Sequence, residues 1–191
     1  MILIYAIIFL IILALLFRRD LTTLGKLHYR GGWKLGVMVG GLFWLQAGLV
    51  IYAPGQTTFQ MFVVLFSQLA LIFLLILNRH VPGAKLFALG VILNTVVMVA
   101  NGGWMPITPE TYQSIRPNRV VEVQERAPAS KGIMLPRSET KLWVLSDIIP
   151  VSILGHKNAV SLGDVLLIMG VAQFLFQATS KARQPGPLFT S

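Results

Sequence analysis

Cysteine is absent from the chain. Disulfides, iron–sulfur clusters and thiolate zinc sites are excluded with it, and nothing follows about redox compartment. Charge is scarce as well. Only 12% of the 191 residues are Asp, Glu, Lys or Arg, about half the ~25% usual in a soluble domain. Acids are scarcest: 7 Asp and Glu stand against 16 Lys and Arg, a formal net charge of +9. The three histidines, His28, His80 and His156, all fall outside the middles of apolar runs. An axial haem or chlorophyll ligand is therefore not expected. No HExxH, no paired His at helical spacing, no acidic metal cage and no G-x-S-x-G occurs. The residues point to no enzyme and imply no cofactor.

Apolar residues are what the chain has instead, 55% of it, with a mean hydropathy of +0.73. They gather into five runs, at about residues 2–17, 35–52, 58–77, 85–100 and 163–179. A helical crossing takes about 20 apolar residues, because lipid offers the backbone no hydrogen bonds. The first, fourth and fifth runs are short for that and imply tilt or local thinning. The expectation is an all-α integral membrane protein, a single membrane domain over residues 1–191. It has about five transmembrane helices and an extracytoplasmic segment of about 60 residues, 101–162. The first run has no basic residue before it, and Arg18 and Arg19 follow it. That is the reverse of a cleaved signal peptide, so the run reads as an uncleaved anchor.

Basic residues set the orientation. Arg18, Arg19, Lys26, Arg30 and Lys34 lie between runs one and two, Arg79 and Lys85 between three and four, and Lys181 and Arg183 after five. Five spans put all three groups on one side. The N-terminus is thus expected outside, and the C-terminus in the cytoplasm of a bacterial inner membrane. The positive charge then needs no nucleic acid, and membrane lipid is the expected partner of the basic side.

Polar residues inside the runs are Gln46, Ser67, Gln68, Asn94, Thr95, Gln173 and Gln177. Interhelical hydrogen bonding is their simplest role. No charged residue lies deep in a span, which argues against a proton pump or a charge-coupled transporter. Gly36 and Gly40 form a G-x-x-x-G continued by Gly41 and Gly48. The expectation is close packing, against another span of this chain rather than a partner subunit.

The 101–162 segment opens with Asn101-Gly102-Gly103-Trp104-Met105-Pro106, a helix stop. Thr108-Pro109-Glu110 reads as a helix start running to about Ile115, ahead of Pro117. Residues 119–124 read as a short strand and 127–132 as a loop. Residues 142–154 are apolar but broken, which fits an interfacial or re-entrant piece. Ser161 and Asp164 form a capping box into the last run. Asp147 interrupts an apolar stretch and needs partners. Asn101, Arg137 and Lys141 are the candidates. The residues that could line an outer-face site are Asn101, Trp104, Asp147 and Asp164.

Three motifs together resemble a family of bacterial multi-pass membrane proteins known only as a domain of unknown function. They are Asn101-Gly102-Gly103-Trp104-Met105-Pro106, Asp147-Ile148-Ile149-Pro150 and Ser161-Leu162-Gly163-Asp164-Val165-Leu166-Leu167. The turn Asn78-Arg79-His80-Val81-Pro82-Gly83 is similar to that family's as well. Ser146 stands where the family pattern implies Gly, and residues 116–135 are longer than it implies. The resemblance implies a topology and no activity. The expected function is a non-enzymatic accessory or structural subunit of a larger membrane complex, photosynthetic or respiratory in type, with other membrane subunits as partners. The alternative is a small-solute carrier or binding protein using the outer-face residues. Third comes a lipid-head-group enzyme with Asp147 as acid or base.

Overall fold

The five apolar runs fold as helices, and the polar segment folds as strands, turns and one short helix. A computed structural model describes residues 2–119, 121–153 and 155–181. Arg183 of the expected basic tail lies outside the described residues. The long helices are α1 (Ile2–Leu16), α2 (Gly32–Tyr52), α3 (Thr58–Leu77), α4 (Ala84–Ala100) and, after the short α5 (Pro109–Ile115), α6 (Leu162–Ala178). Among the described residues, only α2 and α3 are long and apolar enough to cross a membrane by themselves. α1, α4 and α6 have 15, 17 and 17 residues.

Local chemistry sets the helix ends. Thr57 and Gln60 make a reciprocal capping box at α3, and Gln60 Nε2 also donates to Ala53 O (3.0 Å). One side chain thus starts α3 and closes the end of α2. Ser161 and Asp164 cap α6 in the same way. Gly102 and Gly103 adopt φ of 75° and 91° after α4, a backbone that a β-carbon disfavours. A side chain at Gly103 would also run into Met61.

The helices pack in the spatial order α1, α6, α4, α3, α2, an open arc whose flank helices are α1 and α2. The closest pairing is α4 with α6. Gly83 at the head of α4 meets Gly170 of α6, and Gly90 meets Gly163. A β-carbon on Gly90 would stand 2.6 Å from Gly163 O, and one on Gly170 2.7 Å from Phe87 N. The two glycines of each element are seven residues apart, so they recur on one face and let antiparallel backbones touch. The expected close packing of Gly36 and Gly40 is not found. A β-carbon at Gly36, Gly40, Gly41 or Gly48 would meet nothing within 4 Å. These glycines line open space because α2 is an end of the arc, with a neighbour on one side only.

Two ends of the arc can be distinguished. At the turn end lie residues 18–31, the α3–α4 turn and a two-residue ladder of β1 (Arg19–Asp20) with β6 (Ser180–Lys181). At the loop end sits the polar segment. There β2 (Met105–Ile107) pairs in parallel with β3 (Gly132–Met134), and β4 (Ile149–Ile153) forms an antiparallel hairpin with β5 (His156–Val160). Val50, Val64, Val97, Met98, Trp104, Met105 and Ile133 form one buried core tying this segment to α2, α3 and α4. Tyr112, Ala127 and Met134 form a second under α5.

One sequence expectation for this segment changes, and one stretch takes a form its sequence did not show. Residues 142–153 hold a 3-10 turn and one arm of the β4–β5 hairpin. Their apolar residues alternate along a strand whose partner, His156–Val160, is too polar to be recognised as one. Among the described residues of 119–124 there is no strand. Gln124 takes a positive φ of 67°, and its N–H bonds Met134 O (2.7 Å) across from β3, beside the isolated antiparallel bridge of Arg126 with Ile133.

Candidate functional site

The polar segment closes over the concave face of the arc and leaves a chamber there of about 400 Å³. Gln46 comes from α2, Gln68 from α3, Asn94 from α4 and Asp164 from α6, while Lys131, Asp147 and Asn158 come from the polar segment. α2 and α6 therefore face each other across this space instead of packing.

Asp147 is the anomaly in it. Its backbone N–H donates to Pro106 O (3.2 Å), which fixes the residue beside β2. Its Oδ1 is fully buried and has no hydrogen-bond partner. Such an atom carries its desolvation cost without compensation. Burial pushes the carboxyl well above the usual carboxylate range, the facing Asp164 adds to the rise, and Lys131 pulls against it. Burial also lowers the pKa of the Lys131 ammonium, against the pull of Asp164 and then Asp147.

Asp164 is satisfied where Asp147 is not. Its Oδ1 accepts from Asn94 Nδ2 (2.9 Å) and its Oδ2 from Ser161 N (3.3 Å). Ser161 Oγ in turn donates to Asn94 Oδ1 (2.8 Å). Asn94 thus locks α4 to the capping box of α6, a packing role in line with its expected one. Between α2 and α3, the Ser67 hydroxyl donates to the side-chain amide oxygen Oε1 of Gln46.

A second cavity, of about 280 Å³, lies on the far side of Asp147 and is lined by Tyr112, Arg116 and Arg119. Asp147, Asn158 and Ser130 line both. The unpartnered carboxyl therefore stands between an arginine-bearing vestibule and an amide-lined chamber.

The four outer-face residues picked out from sequence do not form one site. Asp147 and Asp164 share the chamber. Asn101 and Trp104 line a separate recess of about 240 Å³ with Gln56 and Met61. Of the partners expected for Asp147, Asn101 and Arg137 are engaged elsewhere, and the Lys141 ammonium is not among the residues lining the chamber. Asn101 exchanges two 2.9 Å hydrogen bonds with the backbone of Lys141, and the Arg137 guanidinium lies 3.9 Å from the Trp143 ring centroid. Asn101 is a helix-end clasp because α4 stops there and its last carbonyls need donors.

Arg126, which the sequence pattern does not single out, holds the segment down. It is 8% exposed. Nη1 donates to Val50 O (2.9 Å) and Ser130 O (2.7 Å), Nη2 to Ala53 O (2.6 Å) and Nε to Gly55 O (2.5 Å). Its guanidinium also lies 5.2 Å from the Trp104 ring centroid. A cation at the carbonyl end of α2 suits the helix dipole. Lys131 and Asn158 were missed as well, since each stands alone in a polar stretch with no periodicity to mark it.

Fold and chamber together define a mostly helical protein with two helices apt in length and composition for a membrane. The chain belongs to the DUF5317 family, a family of unknown function whose model matches residues 35–176. An uncharacterized Thermotoga maritima protein is 33% identical over 123 residues, a match covering 63% of this chain and 65% of that protein's length. No solved structure matches.

Proposed function

We propose that this is a multi-pass membrane protein that binds a small polar solute in the chamber around Asp147, as a carrier or solute-binding protein rather than an enzyme. The observation that carries this reading is the buried, unpartnered Oδ1 of Asp147 in a 400 Å³ space with Lys131 and side-chain amides. A buried acceptor without a partner is compensated when a ligand supplies the donor. A carboxyl and an ammonium in one chamber complement a zwitterion of amino-acid size: its ammonium goes to Asp147 and its carboxylate to Lys131.

Membrane insertion is supported by surface chemistry. Phe59, Phe62, Phe66, Leu69, Phe73 and Ile76 form an exposed stripe along α3, and Trp44 is 81% exposed on α2. A monomer in water does not carry apolar stripes of that extent. Helices of 15 and 17 residues are about 22–26 Å long at 1.5 Å per residue, so α1, α4 and α6 complete five spans with local thinning. The turn end, with its basic residues, is then cytoplasmic. The N-terminus and the loop end are outside.

The test is thermal unfolding in detergent against a panel of amino acids, repeated with Asp147→Asn and Lys131→Gln. Binding is read as a ligand-dependent rise in Tm. A rise that either substitution removes, while each variant alone still unfolds cooperatively, supports the reading. A panel without effect on the wild type counts against it.

The accessory-subunit reading keeps one observation of its own. The glycine stripe of α2 meets nothing among the described residues, so a helix of another subunit would fit there. Mild-detergent purification with mass spectrometry of co-purifying chains decides it, and an isolated monomer ends that reading.

A further inference from the structure

At the turn end the gap between α2 and α6 widens into an apolar groove of about 680 Å³. Trp33 of α2, Leu71 and Leu75 of α3, Phe87 of α4 and Phe174 of α6 line it. That volume falls within the roughly 300–1,000 Å³ that holds small-molecule ligands. Among the described residues, the groove belongs neither to the chamber nor to any contact the chain makes with itself.

Its mouth is positive. Arg30 lines it, held by a two-way clamp with Asn78. The Arg30 N–H donates to Asn78 Oδ1 (2.8 Å), and Asn78 Nδ2 donates to Arg30 O (3.1 Å). The backbone is fixed while the Arg30 side chain stays exposed. Two helix N-termini open on the same groove, α2 through Gly32 and Trp33 and α4 through Gly83 and Ala84. Neither has a side-chain cap, and neither carries an acid in its first turn. Uncapped N-termini favour an anion. Tyr29 and Trp33 stand at the rim, where the headgroup layer of a bilayer favours such rings.

We propose that this groove seats an anionic phospholipid of the cytoplasmic leaflet. Its acyl chains lie between α2 and α6, and its phosphate sits at Arg30 and the two helix starts. The inference rests on the membrane-spanning reading above and deepens it. An apolar cleft explains a lipid tail, and the basic, uncapped mouth explains a charged headgroup.

The experiment uses the full chain. Membranes are first washed with alkaline carbonate. Release of the protein by that wash overturns the membrane reading and this one together. Protein retained in the pellet is purified in detergent, delipidated and offered phosphatidylglycerol or phosphatidylcholine of matched chains, with bound lipid counted by native mass spectrometry. The expected result is preferential retention of phosphatidylglycerol. Arg30→Gln should cut that retention about five-fold, the equivalent of about 1 kcal/mol for one basic residue at a membrane surface. Gly36→Phe projects into open space along the groove and should lower occupancy by both lipids. Equal retention of the two lipids by the wild type, or occupancy unchanged in both variants, overturns the lipid site and leaves the membrane reading standing.

Discussion

Glycine plays opposite parts in two regions of this molecule. On α2, Gly36 and Gly40 carry the familiar four-residue spacing, Gly41 and Gly48 continue the set, and among the described residues nothing lies within 4 Å of a β-carbon on any of them. Between α4 and α6, Gly83, Gly90, Gly163 and Gly170 lack that spacing and make the closest backbone approaches described. The difference lies in the partner. A seven-residue spacing returns to one face of a helix after two turns, and here the facing strand of backbone carries the same spacing in the reverse direction. Each glycine then finds a glycine opposite. A small-residue motif on one helix predicts a groove, and a matching motif on a second helix is needed before it predicts a contact.

The sharpest way to break the α4–α6 seam is Gly163→Ala. The new β-carbon would fall on the Asn94 amide oxygen and lie 2.8 Å from Gly90 O. Either the helices separate or Asn94 leaves Ser161 and Asp164. Overpacking costs about 1–3 kcal/mol, and the displaced Asn94 bonds add about 1 kcal/mol more. A loss of about 3 kcal/mol is expected in equilibrium unfolding in detergent. A variant of wild-type stability would mean that the seam is looser than described.

Arg126→Ala tests the other side of the arc. There α2 is held by polar clasps instead of backbone contact. Removing the guanidinium strips donors from the carbonyls of Val50, Ala53, Gly55 and Ser130. A hydrogen bond to a charged group contributes about 1.5–3 kcal/mol, and water reaching the freed carbonyls recovers part. The expected loss is about 2 kcal/mol, together with earlier proteolysis between residues 117 and 131. Arg126→Lys should rescue little, because one ammonium cannot reproduce the fork.

The helices were legible in the sequence because apolar runs and caps are local signals. Thr108-Pro109-Glu110 and Ser161-Leu162-Gly163-Asp164 mark the two starts where the structure has them. The start of α2 lies three residues before the expected 35, at Gly32, since a glycine pair hides a helix start behind a turn signal. The β4–β5 hairpin was not legible, because His156–Val160 has no strand-like alternation of its own. Within the site, Asp147 announced itself as an acid in apolar surroundings. Lys131, Asn158 and Arg126 gave no such notice, as their roles depend on chain segments far away in sequence. The same holds for the division of Asn101 and Trp104 from Asp147 and Asp164, which only the path of the polar segment decides.

The chamber beside the seam carries a pH signature. The unfolded Asp147 carboxyl titrates near ~3.9, and the folded one holds its proton to higher pH. Between those values the folded state binds more protons than the unfolded state, so rising pH removes stability until the folded carboxyl has ionised. Asp147→Asn imitates the protonated form and escapes that loss. The variant should match the wild type at acid pH and exceed it in Tm as pH rises, with the gap widening through the window and then levelling. Parallel curves would mean that the carboxyl is as well solvated folded as unfolded.

The smallest expected effect has the opposite sign to the largest. Gly40→Ala adds a β-carbon where nothing lies within 4 Å, and alanine exceeds glycine in a helix interior by about 0.5–1 kcal/mol. An isolated chain should therefore gain slightly in stability from the same kind of change that damages the seam at Gly163. The comparison becomes sharper in the native membrane. If a partner helix rests on α2, Gly40→Ala and Gly36→Ala weaken co-purification of that partner while the purified chain stays as stable or more so. If both measurements show only the small gain, the stripe faces lipid, and its glycines serve the open groove between α2 and α6 rather than an interface.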